Sequence, residues 1–183
     1  SMKSVGIIAE YNPFHNGHAY QLQKAKEASG ADFAVAVMSG DFVQRGEPAM
    51  FERRLRARWA LENGADMVIA LPAPFALASA EAFALGGVTL LSKSGIADSI
   101  AFGSECGDTE TLKAVAAALE SESFAAYLRQ GLQEGVSFAA AREAAARELL
   151  GDRAAVLAQP NDILGVEYCK AIARQAAALM PLA

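Results

Sequence analysis

Short apolar runs alternate with longer amphipathic stretches through the first half of the chain. Such runs are typical of strands buried on both faces, and the stretches between them have the spacing of helices. The pattern predicts strands over 4–10, 33–38, 67–72 and 99–105, and helices over about 17–29, 49–63 and 79–92. Because strand and helix alternate in this way, we predict an α/β fold with a parallel sheet flanked by helices.

The second half of the chain predicts only helices. Residues 108–150 are rich in alanine, with Glu, Arg and Leu at helical spacing, and predict two or three helices with breaks near Gly131, Gly135 and Gly151. A further helix is predicted within 159–175. Pro160 and Asn161 favour its start, and Asp162 favours its first turn. We therefore expect a sheet-containing core over 2–107 and a helical extension over 108–183 that packs on it.

Composition narrows the class of protein. The chain has 183 residues, of which 53% are apolar, and its 21 acidic residues modestly outnumber its 16 basic ones. This balance gives no reason by itself to expect a nucleic acid partner, and it excludes none. Cys106 and Cys169 lack the spacing of a metal site or a disulfide framework, which favours a cytoplasmic location. The apolar stretch 67–91 is interrupted by prolines, Glu81 and Gly86-Gly87, so we expect no membrane span.

Both histidines of the chain lie between the first predicted strand and the first predicted helix. His15 and His18 are separated only by Asn16 and Gly17. In open α/β sheets ligands bind beyond the carboxyl ends of the strands, and a helix N-terminus there attracts anions. Gly17 would let a phosphate approach the backbone, and the imidazoles add donors. We therefore predict a nucleotide-phosphate site, while ordinary surface histidines and half of a metal site remain open alternatives.

Several strings of the sequence resemble a known family. HNGH (15–18) is similar to the H-x-G-H signature of nucleotidyltransferases related to class I aminoacyl-tRNA synthetases. The longer string VGIIAEYNPFHNGHAYQLQKAK (5–26) resembles the tRNA(Met) cytidine acetate ligase family, as do AVMSGDFVQRGEPA, DMVIALP, FGSECGD and PNDILGVEY. The resemblance implies a Rossmann-like sheet of the HIGH nucleotidyltransferase type. Family members are longer, so we expect this chain to be their N-terminal catalytic part.

The resemblance also implies a reaction. The family uses ATP and acetate to form acetyl-adenylate, and transfers the acetyl group to the wobble cytidine of elongator tRNA(Met), which becomes N4-acetylcytidine. His15 and His18 would act on the triphosphate as catalytic residues, and Mg²⁺ would accompany pyrophosphate. The residues expected to bind ATP are Ile8, Ala9, Glu10, Tyr11, Asn12, Pro13, Phe14, His15, Asn16, Gly17, His18, Ala19, Tyr20, Gln21, Gly103 and Asn161. Two alternatives are a nucleotidyltransferase of the same fold with another small-molecule substrate, and a nucleotide-binding module without catalysis.

Two further segments offer candidates for the other substrates. The polar loop 39–48 carries Ser39, Gln44 and Arg45, which could bind a small carboxylate such as acetate, or could simply be solvated. The predicted helix that follows carries four arginines that either contact tRNA phosphates or form a solvated face. They are Arg53, Arg54, Arg56 and Arg58, with Arg53 and Arg56 as the tRNA-contact candidates.

Two acidic residues and the two cysteines complete the candidates. Glu10 and Asp41 follow predicted strands, where they could coordinate a metal, orient a histidine or cap local amides. Cys106 is not expected to be a nucleophile, because both histidines are assigned to the phosphate site and none is left to activate the thiol. Cys169 falls within a predicted helix and is expected to be a small core residue.

Overall fold

Five parallel strands and seven α-helices make up the residues that the computed structural model describes, which are 3–9, 16–39, 53–71, 79–175 and 177–183. The strands are β1 (Ser4–Ala9), β2 (Phe33–Ser39), β3 (Met67–Leu71), β4 (Ser99–Ala101) and β5 (Met180–Leu182). The α-helices are α1 (Asn16–Ser29), α2 (Arg53–Glu62), α3 (Ala80–Lys93), α4 (Thr109–Leu119), α5 (Glu122–Gln133), α6 (Phe138–Leu150) and α7 (Pro160–Arg174). A 3₁₀ helix, Gly151–Ala158, joins α6 to α7.

The strands form one sheet in the order β3-β2-β1-β4-β5, and every pair in it is parallel. Apolar residues of α1 and α2 pack on one face of the sheet, and those of α3 to α7 pack on the other. The helices that follow β1 and β3 therefore lie on opposite faces. This makes the crevice between β1 and β4 the topological switch point of the sheet, where ligands bind in folds of this kind.

Strand β1 alternates its side chains between the two faces, as a buried strand must. Val5 and Ile7 pack towards α1, whereas Ile8 packs towards α3. The contact with α3 is very close because both elements contribute a glycine. A Cβ at Gly6 would lie 2.5 Å from Cδ1 of Leu91, and a Cβ at Gly87 would lie 2.2 Å from Cδ1 of Ile8. The two elements thus interlock through reciprocal pairs of glycine and large aliphatic side chain.

Two parts of the strand prediction are corrected. Strand β4 ends at Ala101 rather than at 105, and the residues after it form the loop that leads to α4. Strand β5 was not predicted; it contains Pro181, which lacks an amide proton and is a weak signal for a strand. Among the described strands β5 pairs with β4 alone and so forms an edge of the sheet, where a proline is tolerated.

The predicted break near Gly131 is also wrong, while those near Gly135 and Gly151 are confirmed. Gly131 lies inside α5, where its missing side chain leaves room for α6, since a Cβ there would lie 3.0 Å from that of Ala141. Gly135 and Gly151 have φ angles of 81° and 58°, which favour glycine and end a helix. The unpredicted break falls at Ser121, whose hydroxyl accepts a hydrogen bond from the Phe124 amide at 3.2 Å and caps α5.

The apolar stretch 67–91 contributes β3 and most of α3, with 72–78 outside the described residues. None of the helices in the described part of the chain combines the length and the apolar character that a bilayer span needs.

We predict that Gly87 of α3 and Ile8 of β1 are energetically coupled, which a double-mutant cycle measures. Gly87→Ala should lower the free energy of unfolding by about 1–3 kcal/mol, because the added methyl group overpacks the contact. The higher helix propensity of alanine should offset about 1 kcal/mol of this loss. Ile8→Val removes the Cδ1 atom that the new methyl would meet, at a cost of about 0.5–1.5 kcal/mol on its own. The loss of unfolding free energy in the double variant should therefore be smaller than the sum of the losses in the two single variants, as measured by urea denaturation. Strict additivity would show that Ile8 and Gly87 do not limit the approach.

Candidate functional site

The candidate site lies where β1 and β4 end. These neighbouring strands are in register through Ile7 and Ala101, and both point their carboxyl ends to the same edge of the sheet. Helix α1 follows β1 in the chain, and the loop 102–108 follows β4. The predicted phosphate segment and Gly103 therefore belong to adjacent strands that flank the switch point.

The start of α1 has the electrostatic character that an anion requires. Its first turn contains no acidic residue. The first amides of a helix have no partner within the helix, and the aligned peptide dipoles make this end positive. Gly17 is exposed there, and His18 is half-buried. Leu22, one turn further on and only 1% exposed, holds the helix to the sheet.

Several predicted site residues lie outside the described residues. These are Glu10, Tyr11, Asn12, Pro13, Phe14, His15, Asp41, Gln44 and Arg45. For Ala9, Asn16 and Ser39 the structure describes the backbone, which places Ala9 and Ser39 at the ends of β1 and β2 and Asn16 at the start of α1. The pairing of His15 with His18 therefore stays a prediction.

The remaining residues of the predicted ATP segment divide between core and surface. Ile8 is buried against α3, so only its backbone can face a ligand at the strand end. Ala19 and Gln21 are half-buried. Tyr20 is 62% exposed, and the Lys24 ammonium lies 5.4 Å from the centre of its ring.

The structure brings Gly103 and Asn161 together, although 57 residues separate them along the chain. Both are exposed. A Cβ built at Gly103 would lie 3.9 Å from Cγ and 4.0 Å from Nδ2 of Asn161, which is ordinary van der Waals contact. The backbone of Gly103, which no side chain covers, and the side-chain amide of Asn161 thus form one small surface at the end of β4.

A set of hydrogen bonds joins the loop after β4 to the first turn of α7. The Glu105 carboxylate accepts hydrogen bonds from the backbone amides of Asn161 (3.1 Å) and Asp162 (3.0 Å). In the opposite direction, the Asp162 carboxylate accepts from the Ser104 hydroxyl (2.5 Å) and from the Cys106 amide (3.1 Å). We call Ser104, Glu105 and Asp162 the β4–α7 joint.

The joint explains how α7 begins. Its N-cap residue, Gln159, makes no capping hydrogen bond with its side chain, so the first amides of the helix need another acceptor. Glu105 supplies that acceptor from a distant part of the chain. Desolvation raises the pKa of the Glu105 carboxyl, but the hydrogen bonds from Asn161 and Asp162 outweigh it and hold the pKa below its ordinary value of 4.5.

Neither Ser104 nor Glu105 was among the predicted site residues, and Asp162 was predicted only to favour the first turn of α7. Asp162 does lie in the first turn, as predicted, but it is also 1% exposed and bonded to the loop 104–106. The available signal was the polar string GSECGD directly after a buried strand, at the edge where ligands bind.

The arginines of α2 do not form a single exposed face. Arg56 is fully buried, on the inward side of the helix with Ala60 one turn later, so its assignment as a contact to tRNA is corrected. A guanidinium without solvent exposure does not reach an external phosphate. Arg53 and Arg54 are exposed, and Arg58 is exposed while paired with Glu62 at 2.8 Å.

The two cysteines have different environments. Cys169 is 5% exposed, and burial raises the pKa of its thiol to about 11, as suits a core residue. Cys106 is exposed, with its sulfur 3.5 Å from the Ser104 hydroxyl. Within the described ranges, no group of three or more His, Cys, Asp or Glu side chains is placed to hold a metal ion.

A groove of about 840 Å³ lies elsewhere, between the ends of α4 and α7 and the start of β5. Apolar side chains such as Ala116, Ile172 and Leu179 line it, together with charged residues at its margin. Neither Gly103 nor Asn161 belongs to its lining, so the groove is distinct from the candidate site.

The parallel sheet, with α1 following β1 at the switch point, agrees with the class of protein that the sequence matches. Residues 2–183 match the family described as HIGH Nucleotidyl Transferase, and the chain belongs to that family. Among curated relatives, it is 48% identical to the tRNA(Met) cytidine acetate ligase of Acetivibrio thermocellus over 99% of its own length. It is 50% identical to the protein of the same name from Caldicellulosiruptor saccharolyticus, also over 99% of its length.

A solved structure agrees with these similarities. The chain superposes on Thermotoga maritima TmcAL bound with alpha-thio ATP with a TM-score of 0.94 and 39% identity, over 99% of this chain and 46% of that one. The two curated relatives are each covered over 45% of their length. The chain thus spans about half the length of the proteins it matches.

We predict that the link between Glu105 and α7 weakens in acid. Because the folded state lowers the pKa of Glu105, its stabilisation is complete above the ordinary value of 4.5 and is lost as the pH falls through the folded value. The difference in unfolding free energy between the chain and Glu105→Gln should therefore be larger at about pH 7 than at about pH 3, measured by urea denaturation at each pH. Glu110→Gln, on the exposed side of α4, is the matched control, and an equal pH dependence for both variants would contradict the prediction.

Proposed function

We propose that this chain is the ATP-using catalytic part of a tRNA(Met) cytidine acetate ligase. The observation that carries the proposal is the meeting of Gly103 and Asn161 at the same sheet edge as the start of α1. It is supported by the similarity of nearly the whole chain to relatives of that name. A related protein has been seen with an ATP analogue, which supports ATP as the nucleotide.

The two ends of ATP would occupy different parts of the site. The triphosphate would lie at the start of α1, where Gly17 allows close approach and His18, with His15, donates to the phosphate oxygens. The adenosine would lie against Gly103, and the side-chain amide of Asn161 would form a hydrogen bond with the base or the ribose. The extension 108–183 would complete the ATP site, because α7 supplies Asn161.

The chemistry that follows needs positioning and charge stabilisation rather than a protein nucleophile. An acetate oxygen attacks the α-phosphorus, and the bond to pyrophosphate breaks with its electron pair leaving on pyrophosphate. Negative charge grows on the phosphate oxygens in the transition state, where preorganised donors such as His18 stabilise it. The cytidine amine then attacks the acetyl carbonyl carbon, AMP leaves, and the amine loses a proton.

The remaining substrates are assigned to neighbouring segments. Ser39, at the end of β2, with Gln44 and Arg45, would bind acetate. Exposed Arg53 would contact tRNA phosphates. Mg²⁺ held by the triphosphate oxygens would supply charge neutralisation for the departing pyrophosphate.

We expect the chain to exchange labelled pyrophosphate into ATP when acetate is present. His18→Ala should reduce the rate of exchange by about 100- to 1000-fold, because loss of one transition-state donor costs about 3–4 kcal/mol. Glu27→Gln, an exposed change near the other end of the same helix, should leave the rate unchanged. Exchange that depends on another small molecule instead of acetate would favour the alternative nucleotidyltransferase, and ATP binding without any exchange would favour a non-catalytic module.

We also expect Gly103→Ala to weaken ATP binding without loss of stability. The added methyl would meet the Asn161 amide no closer than 3.9 Å among the described residues, so the protein accommodates it. It would nevertheless stand where the adenosine is proposed to lie, and overpacking of this kind costs about 1–3 kcal/mol. Calorimetric titration with ATP should show about a tenfold loss of affinity with an unchanged melting temperature. Unchanged affinity would place the adenosine elsewhere.

A further inference from the structure

Gly103 and Asn161 contribute little to holding each other in place. The contact between them is ordinary van der Waals contact at 3.9–4.0 Å, and both residues are exposed. Such a contact by itself does not fix the rotation of α7 relative to the loop after β4. The polar groups on either side of the pair must do so.

Glu105 fixes the first turn of α7 directly at Asn161. Its two carboxylate oxygens are used separately, one accepting from the Asn161 amide and the other from the Asp162 amide. A carboxylate bonded through both oxygens constrains direction as well as distance. The backbone of Asn161, and with it the origin of its side chain, is thereby tied to the residue two positions after Gly103.

Asp162 fixes the loop in return. Its buried carboxylate accepts from the Ser104 hydroxyl, and Ser104 in turn accepts from the Gly107 amide at 2.9 Å. The second oxygen of Asp162 accepts from the Cys106 amide. A buried carboxylate that loses a partner pays a large desolvation cost, so this arrangement resists distortion. The loop and the helix therefore hold each other through hydrogen bonds in both directions.

The charge of the joint indicates which end of a nucleotide it serves. Glu105 already occupies the amides at the start of α7, and Asp162 adds a second carboxylate close by. Two carboxylates disfavour a triphosphate at this point, whereas an uncharged nucleoside is not repelled. The start of α1 has no acidic residue in its first turn.

From this arrangement we infer that Ser104, Glu105 and Asp162 are positioning residues for the adenosine end of the nucleotide, an inference that rests on the proposed function. They hold Asn161 beside Gly103 without contacting the ligand themselves. Loss of one of them should weaken recognition of the adenosine and leave recognition of the phosphates at α1 unchanged. A residue needed only for folding would affect both.

The test compares three ligands on the full 183-residue chain. ATP affinity is measured by calorimetric titration, and adenosine and inorganic tripolyphosphate are measured as competitors of ATP. Ser104→Ala and Glu105→Gln should weaken ATP and adenosine about tenfold and leave tripolyphosphate unchanged, because hydrogen bonds of this kind are each worth about one order of magnitude. Ser104→Thr retains the hydroxyl and should restore adenosine binding. Glu110→Gln, an exposed carboxylate of α4, should change none of the three.

The possible binding results separate a failure of the proposed function from a failure of the positioning role. If the unaltered chain fails to bind ATP, the proposed function fails, and this inference with it. If the unaltered chain binds ATP but the variants bind all three ligands as it does, the joint has no positioning role. Equal weakening of adenosine and tripolyphosphate, or no recovery with Ser104→Thr, would show a general structural role instead. Should Glu105→Gln not fold, the pair Ser104→Ala and Ser104→Thr decides the question alone.

Discussion

The candidate site depends on how closely α3 packs against β1. Leu91 fills the space that Gly6 leaves open, and Ile8 fills the space beside Gly87. Protein interiors are packed too densely for either contact to absorb an added methyl group without movement. Strand β1 is the central strand of the sheet and carries α1 at its carboxyl end. Any displacement of β1 would therefore move the start of α1 relative to β4 and to the surface that Gly103 offers.

The apolar pattern predicts the elements whose burial repeats over a short range. The predicted bounds of β1, α1, β2, β3 and α3 agree with the structure to within one residue at each end. The pattern fails where a distant neighbour decides the outcome. Pro181 joins a strand because β4 offers it an edge, and Gly131 continues a helix because α6 packs against it. Arg56 is buried although its neighbours Arg53 and Arg54 are exposed. The charge of an arginine does not by itself predict which of the three is buried.

The candidate site was predictable to a similar extent. His18 and Gly17 stand out because a glycine and the histidines cluster where a strand gives way to a helix. Gly103 and Asn161 were found only through the resemblance to a family. The β4–α7 joint was not predicted, because its hydrogen bonds link residues that lie 56 to 58 positions apart. Sequence spacing carries no information on contacts of that range until the sheet has brought the two segments together.

The two helix N-termini beside the switch point differ in the property that matters most for a charged ligand. Any helix start attracts an anion, but at α7 the carboxylate of Glu105 already satisfies that attraction. At α1 no acidic residue of the first turn does so. Under the proposed function, an anionic group that reaches this edge would therefore be drawn to α1 rather than to α7. A nucleoside triphosphate has one neutral end and one highly charged end, so under the proposed function this difference would favour one orientation for it. The orientation would follow from the distribution of carboxylates even if the shape of the crevice admitted both.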